Sequence, residues 1–138
     1  MTYETHSEKE THELAARFAA TLRGGELIEL VGDLGSGKTT FVRGVAEALG
    51  CKVKVKSPTF TVMNEYPVDN DKIKKIVHAD FYRFEDPAHL EALALGDYSD
   101  DDIVIFVEWP DIFGEGILTP THTINFEFVD EITRKIEL

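Results

Sequence analysis

Three features of the sequence predict an α/β fold: one layered domain over residues 1–138, a three-layer sandwich around a central mixed, mostly parallel sheet that ends in an antiparallel hairpin. A β-prone run, Glu26 to Val31, stops at Gly32 and gives way to apolar residues at helical spacing, Phe41, Val45 and Leu49. The continuous apolar run Ile103 to Val107 has the composition of a strand covered on both faces. Two strand-like runs close the chain, Thr123 to Val129 and Thr133 to Leu138, and the turn between them falls at Asp130-Glu131.

In chain order, Thr5 or Ser7 followed three residues later by Glu8 or Glu10 has the form of a capping box. Leu14, Phe18 and Leu22 then recur at helical spacing, which predicts a first helix to about Arg23, ended by Gly24 or Gly25. Gly50 ends the second helix. Further strands are predicted near Phe60 to Tyr66 and Ile73 to Asp80, and a helix from Pro87 to Leu95, where proline suits the first turn. No internal repeat or low-complexity segment interrupts this order.

Composition narrows the function classes. With 43% hydrophobic and 29% charged residues the chain is globular, and no apolar stretch approaches a membrane span. Met1 to Glu13 is polar and acidic, without the basic start and apolar middle of a secretory signal, so a cytoplasmic location is expected. The lone Cys51 excludes an internal disulfide and a cysteine zinc site. A net charge of −12 opposes attraction to a phosphate backbone, so unaided nucleic-acid binding is not expected. The same charge does not exclude a nucleotide, because a helix N-terminus offers backbone N–H groups and a local positive dipole.

Gly32-Asp33-Leu34-Gly35-Ser36-Gly37-Lys38-Thr39 satisfies the P-loop pattern G-x-x-x-x-G-K-[ST], and it lies between a predicted strand and a predicted helix, as that motif requires. This makes the fold P-loop NTPase-like and the ligand Mg-ATP. Gly35, Ser36, Gly37, Lys38, Thr39 and Thr40 form the phosphate cradle with Asp33, which together with Leu34 shapes the loop. Lys38 reaches the terminal phosphates and the Thr39 hydroxyl ligates Mg²⁺. The absence of an N/TKxD-type guanine signature tilts the choice toward adenine. Glu108 ends the buried strand at the sheet edge where the P-loop sits, which gives it the role of a second Mg²⁺ ligand. His78, Asp80 and Tyr82 share one face of a strand if it continues through them, and a solvent-facing strand accounts for them equally well. Ser57-Pro58-Thr59-Phe60 reads as a rigid turn or as a γ-phosphate switch. Lys52, Lys54 and Lys56 form a basic stripe of the kind usually solvated, and Asp97 to Asp102 an acidic loop.

Taken together, G-D-L-G-S-G-K-T-T at Gly32 to Thr40, K-S-P-T-F at Lys56 to Phe60, H-x-D-x-Y-R at His78 to Arg83, and Glu108-Trp109 resemble the TsaE family, bacterial ATPases of tRNA threonylcarbamoyladenosine biosynthesis. D-P-x-x-L-E at Asp86 to Glu91, Gly96-Asp97-Tyr98 and Gly116-Ile117-Leu118 extend the likeness over most of the chain. The resemblance implies Mg²⁺ held by Thr39 and Glu108, and a catalytic or water-positioning role for Asp80. It implies Thr11 near the adenine and Arg134 against the nucleotide. It also implies the partners TsaB and TsaD, which bind the tRNA and transfer the threonylcarbamoyl group while this chain supplies the ATPase. Two other readings remain. A small-molecule kinase needs arginines on a lid, and beyond Ile76 only Arg83, Arg134 and Lys135 are basic. A nucleotide-binding scaffold would bind without turnover.

Overall fold

A computed structural model describes residues 1–33, 35–55, 63–80, 101–108 and 120–138. Its elements run β1 (Thr2–Thr5), α1 (Glu8–Ala19), β2 (Leu27–Val31), α2 (Lys38–Ala48), β3 (Met63–Pro67), β4 (Lys75–Asp80), β5 (Ile103–Glu108), β6 (His122–Phe128) and β7 (Arg134–Glu137). The predicted helix Pro87 to Leu95 lies outside the described residues.

All seven strands form one sheet in the order β1-β7-β6-β2-β5-β4-β3. The centre is parallel, β6 with β2, β2 with β5, and β5 with β4. Both edges are antiparallel, β3 on β4 at one side and the β6–β7 hairpin with β1 at the other. The C-terminal hairpin is the one predicted, and its turn is held by Asp130, whose Oδ1 accepts from the Ile132 and Thr133 N–H groups at 3.0 and 2.8 Å. The sheet carries more antiparallel pairing than the sequence reading expected, because β1 was not foreseen and β3 pairs antiparallel with β4. Four residues are too few for a legible alternation, and β1 is a strand because β7 offers it an edge, pairing Tyr3 with Ile136.

α1 begins at Ser7, whose hydroxyl accepts from the Glu10 N–H at 3.1 Å, while the Glu10 carboxylate reaches back to the His6 N–H. The helix ends earlier than the apolar spacing predicts. Thr21 and Leu22 donate to Phe18 and Ala19, three residues back, which tightens the chain into turns although Leu22 still enters the core.

The core lies between these two helices and one face of the sheet. Leu14, Phe18, Phe41, Val42 and Val45 pack on Ile28, Leu30, Val104, Phe106, Ile124 and Phe126. Phe41 links the layers, its ring centroid 5.6 Å from those of both Phe18 and Phe126. On the opposite face Val77, Ala79, Ile105 and Val107 are buried too, so β4 and β5 are covered on both sides, as their unbroken apolar runs predict.

Candidate functional site

The parallel strands end at a common edge, and the register fixes what meets there. Leu30 of β2 and Asp80 of β4 both lie opposite Glu108 of β5. The chain leaving β2 at Val31 therefore enters the glycine-rich loop beside two carboxylates. Gly35 and Gly37 have φ of +78° and +102°, a left-handed backbone that side chains resist, and a Cβ at Gly35 would project into open space. Gly37 caps α2 with no side-chain acceptor, and the first helical bond runs from Phe41 N–H to Gly37. No side chain therefore caps the start of α2.

Lys38 is buried, and its ammonium donates to the Gly32 carbonyl. Burial pulls its pKa below the ordinary lysine value, against the attraction of Glu108, Asp80 and Asp33. Glu108 is only 3% exposed, and its Oε2 accepts from the Nε2 of the fully buried His78 at 2.9 Å.

A cavity of about 510 Å³ opens over the loop. Gly35, Gly37, Lys38, Thr39 and Thr40 line its floor, with Asp80 and Glu108 at one side. The wall across from them comes from the start of α1 and from the hairpin, including Thr11, Ile132 and Arg134. The buried Thr11 hydroxyl is bonded to Thr5 at 2.7 Å, so β1 braces this wall. Arg134 bridges hairpin and loop: its Nε donates to the Gly35 carbonyl at 3.0 Å, one Nη donates to Asp130 O, and the guanidinium lies 4.5 Å from the Phe128 ring centroid.

The predicted site residues Thr11, Gly35, Gly37, Lys38, Thr39, Thr40, Asp80, Glu108 and Arg134 thus converge on one cavity. Ser36 is fully buried beneath the loop instead, its hydroxyl without a partner among the described residues, and Asp33 bears on the site through its charge near Lys38. His78 and Asp80 share a face, as strand alternation requires. Tyr82, Arg83, Lys56 to Phe60 and Trp109 lie outside the described residues. Sequence reasoning missed the Thr5–Thr11 bond, the cavity positions of His6, Ser7, Glu8, Glu131 and Ile132, and the His78–Glu108 bond. The capping signal at Ser7 was the available clue that a second helix N-terminus faces this region.

The family model of the threonylcarbamoyl adenosine biosynthesis protein TsaE matches residues 5–136. This chain belongs to the TsaE family. TsaE relatives described as tRNA threonylcarbamoyladenosine biosynthesis proteins include one from Haemophilus influenzae, 40% identical over 81% of this chain and 68% of its own. Another, from Aquifex aeolicus, is 40% identical over 96% of this chain and 90% of its own. The crystal structure of YdiB from Bacillus subtilis superposes with a TM-score of 0.74 at 32% identity, covering 99% of this chain and 82% of that one. The mixed sheet and the loop-to-α2 junction are therefore a TsaE-like, P-loop NTPase-like architecture, and the family is one of tRNA modification. Among the described residues no helix is long and apolar enough to cross a membrane.

Proposed function

We propose that this TsaE protein binds Mg-ATP and hydrolyses it in the cytoplasm to support threonylcarbamoyl transfer to the adenosine beside the tRNA anticodon, acting on a complex of TsaB and TsaD. The observation that carries this reading is the convergence of an uncapped, glycine-cradled helix N-terminus, Lys38, and the strand-end acids Glu108 and Asp80 in one cavity. The donor set fits a nucleotide. The N–H groups at the start of α2 and the Lys38 ammonium suit the phosphates, and the Thr39 hydroxyl with the Glu108 carboxylate suits Mg²⁺. Among the described residues no cluster of three or more acidic, histidine or cysteine side chains could hold a metal alone. That agrees with an ion that protein side chains share with phosphate oxygens and water. Bound there, the ion would neutralise charge developing on the phosphates.

The chain's own residues then divide the work. Lys38 exchanges the Gly32 carbonyl for phosphate oxygens. Asp80 sits on the strand next to Glu108 and orients or deprotonates the attacking water. Thr11 and Ile132 offer a surface for the base, and Arg134 holds the loop from the hairpin side. Arg134 is the one arginine lining the cavity among the described residues, which supports transfer to water over transfer by a kinase lid. The test is phosphate release by the full chain, alone and with TsaB and TsaD. Stimulated release is expected. Release that depends on an added small-molecule acceptor would favour a kinase, and none under any condition a scaffold.

A further inference from the structure

Glu108 ends β5 with its carboxylate in the cavity, and a carboxylate on a flexible stem can turn through several rotamers. Here one oxygen is taken. His78 is 0% exposed, and among the described residues its Nε2 is the one hydrogen-bond partner of the Glu108 carboxylate, at 2.9 Å. The imidazole Nδ1 has no partner among the described residues, so the tautomer that places the proton on Nε2 avoids burying an unpaired N–H.

Packing alone gives no reason for a polar ring at this position. His78 shares its face of β4 with the buried Ile76 and lies between Phe106 of β5 and Asn64 of β3, where an aliphatic side chain would fill the space without the desolvation that an imidazole brings. What the imidazole adds is a fixed donor that reaches Glu108 across the strand pair from below the cavity. With Oε2 held, Oε1 is left to face an ion, and the carboxylate need not be ordered when the ion arrives.

We propose that His78 is a positioning residue that presets Glu108 as a metal ligand; this rests on the reading of Glu108 as a Mg²⁺ ligand. Partners of this kind fix ligand orientation, and their loss weakens metal binding by about 10- to 100-fold.

The experiment is calorimetric ATP binding by the full chain across a Mg²⁺ titration and in EDTA, for the wild type, Glu108→Ala, His78→Gln and His78→Asn. The glutamine amide nitrogen reaches the Nε2 position and can still donate to Glu108, whereas that of asparagine reaches only the Nδ1 position. His78→Gln is expected to follow the wild type. His78→Asn is expected to need about 10- to 100-fold more Mg²⁺ for the same gain in affinity, with its affinity in EDTA unchanged. An His78→Asn titration that overlays the wild type overturns the proposal. So does an equal loss in both His78 variants, or a loss of the same size with and without metal, which is what a merely structural role produces. If Glu108→Ala titrates like the wild type, the metal-ligand reading fails and carries this inference down with it, a result distinct from all the others.

Discussion

Gly44, in the middle of α2, sets how closely α2 approaches α1. A Cβ built there would lie 2.8 Å from the Ala15 Cβ and 3.0 Å from the His12 Cα of α1. Carbon atoms in unstrained contact are about 3.5–4.0 Å apart, so Gly44→Ala requires the helices to part by about 0.5–1.2 Å. The His12 contact is to backbone, and no rotamer change relieves it. Alanine in a helix interior gains about 1 kcal/mol over glycine, whereas overpacking a tight contact costs about 1–3 kcal/mol. With backbone on one side of the clash the upper end applies, and the net expectation is a destabilisation of about 2 kcal/mol.

Denaturant unfolding of Gly44→Ala against the wild type measures this directly, with the slope unchanged and the midpoint lowered. Ala15→Gly in the Gly44→Ala background removes the 2.8 Å contact and leaves the 3.0 Å one, so it should recover part of the loss, as a coupling energy in a double-mutant cycle. If Gly44→Ala is as stable as the wild type, or more so, helix propensity has won and the close approach of α1 to α2 does not constrain the fold.

Lys38→Ala is expected to weaken ATP binding about 10- to 100-fold by calorimetry, the worth of a charge-assisted contact to phosphate, and unchanged affinity would remove the P-loop assignment. Asp80→Asn keeps size and removes charge, so ATP should still bind while phosphate release stimulated by TsaB and TsaD falls by about two to four powers of ten; equal stimulated rates would return Asp80 to a structural role. The isolated chain should give no gel shift with tRNA at micromolar protein and physiological salt, given its net charge of −12. Because burial holds the Lys38 pKa below 10.5, the penalty for its charge is present at neutral pH and is relieved as pH rises through the lowered value toward 10.5. Lys38→Met should therefore be more stable than wild type near neutral pH, and the gap between their unfolding free energies should narrow on the alkaline side; a constant gap would refute the desolvation argument.

What the sequence made legible was whatever is written locally. The strand, loop and helix around Gly32 to Thr40 follow from a motif whose glycines and lysine have one geometry to adopt, and β5 follows from its unbroken apolar run. Glu108 was found because it ends a buried strand and Asp80 through the resemblance to the TsaE family, but their adjacency depends on β4 and β5 being parallel neighbours in one register, which no local pattern encodes. β1 was hidden for the same reason, since it exists through pairing with β7 at the other end of the chain, and the Thr5–Thr11 bond follows from where β1 places Thr5 against α1. His78 carried an ambiguous signal. A histidine amid apolar strand residues is consistent with a satisfied core group or with a working one, and only the distance to Glu108 decides which group it serves.

The charges around the cavity bear on what it can accept. Glu8, Asp80, Glu108 and Glu131 line it against Lys38 and Arg134, in a chain of net charge −12. Backbone N–H groups and the helix dipole favour phosphate locally, but they act over the first turn alone, whereas the carboxylates meet every anion that enters. A metal-free nucleotide bound as proposed would therefore work against Asp80 and Glu108, which line the cavity beside the loop. A divalent ion between them and the phosphates turns that repulsion into attraction. The same two carboxylates favour the charged form of Lys38 against its burial, so the acids that would disfavour a bare nucleotide also support the cation that phosphates would meet. If the proposed function holds, the acidity of the site would select nucleotide accompanied by metal, and Glu108, bonded to His78, would be the group on which that selectivity turns.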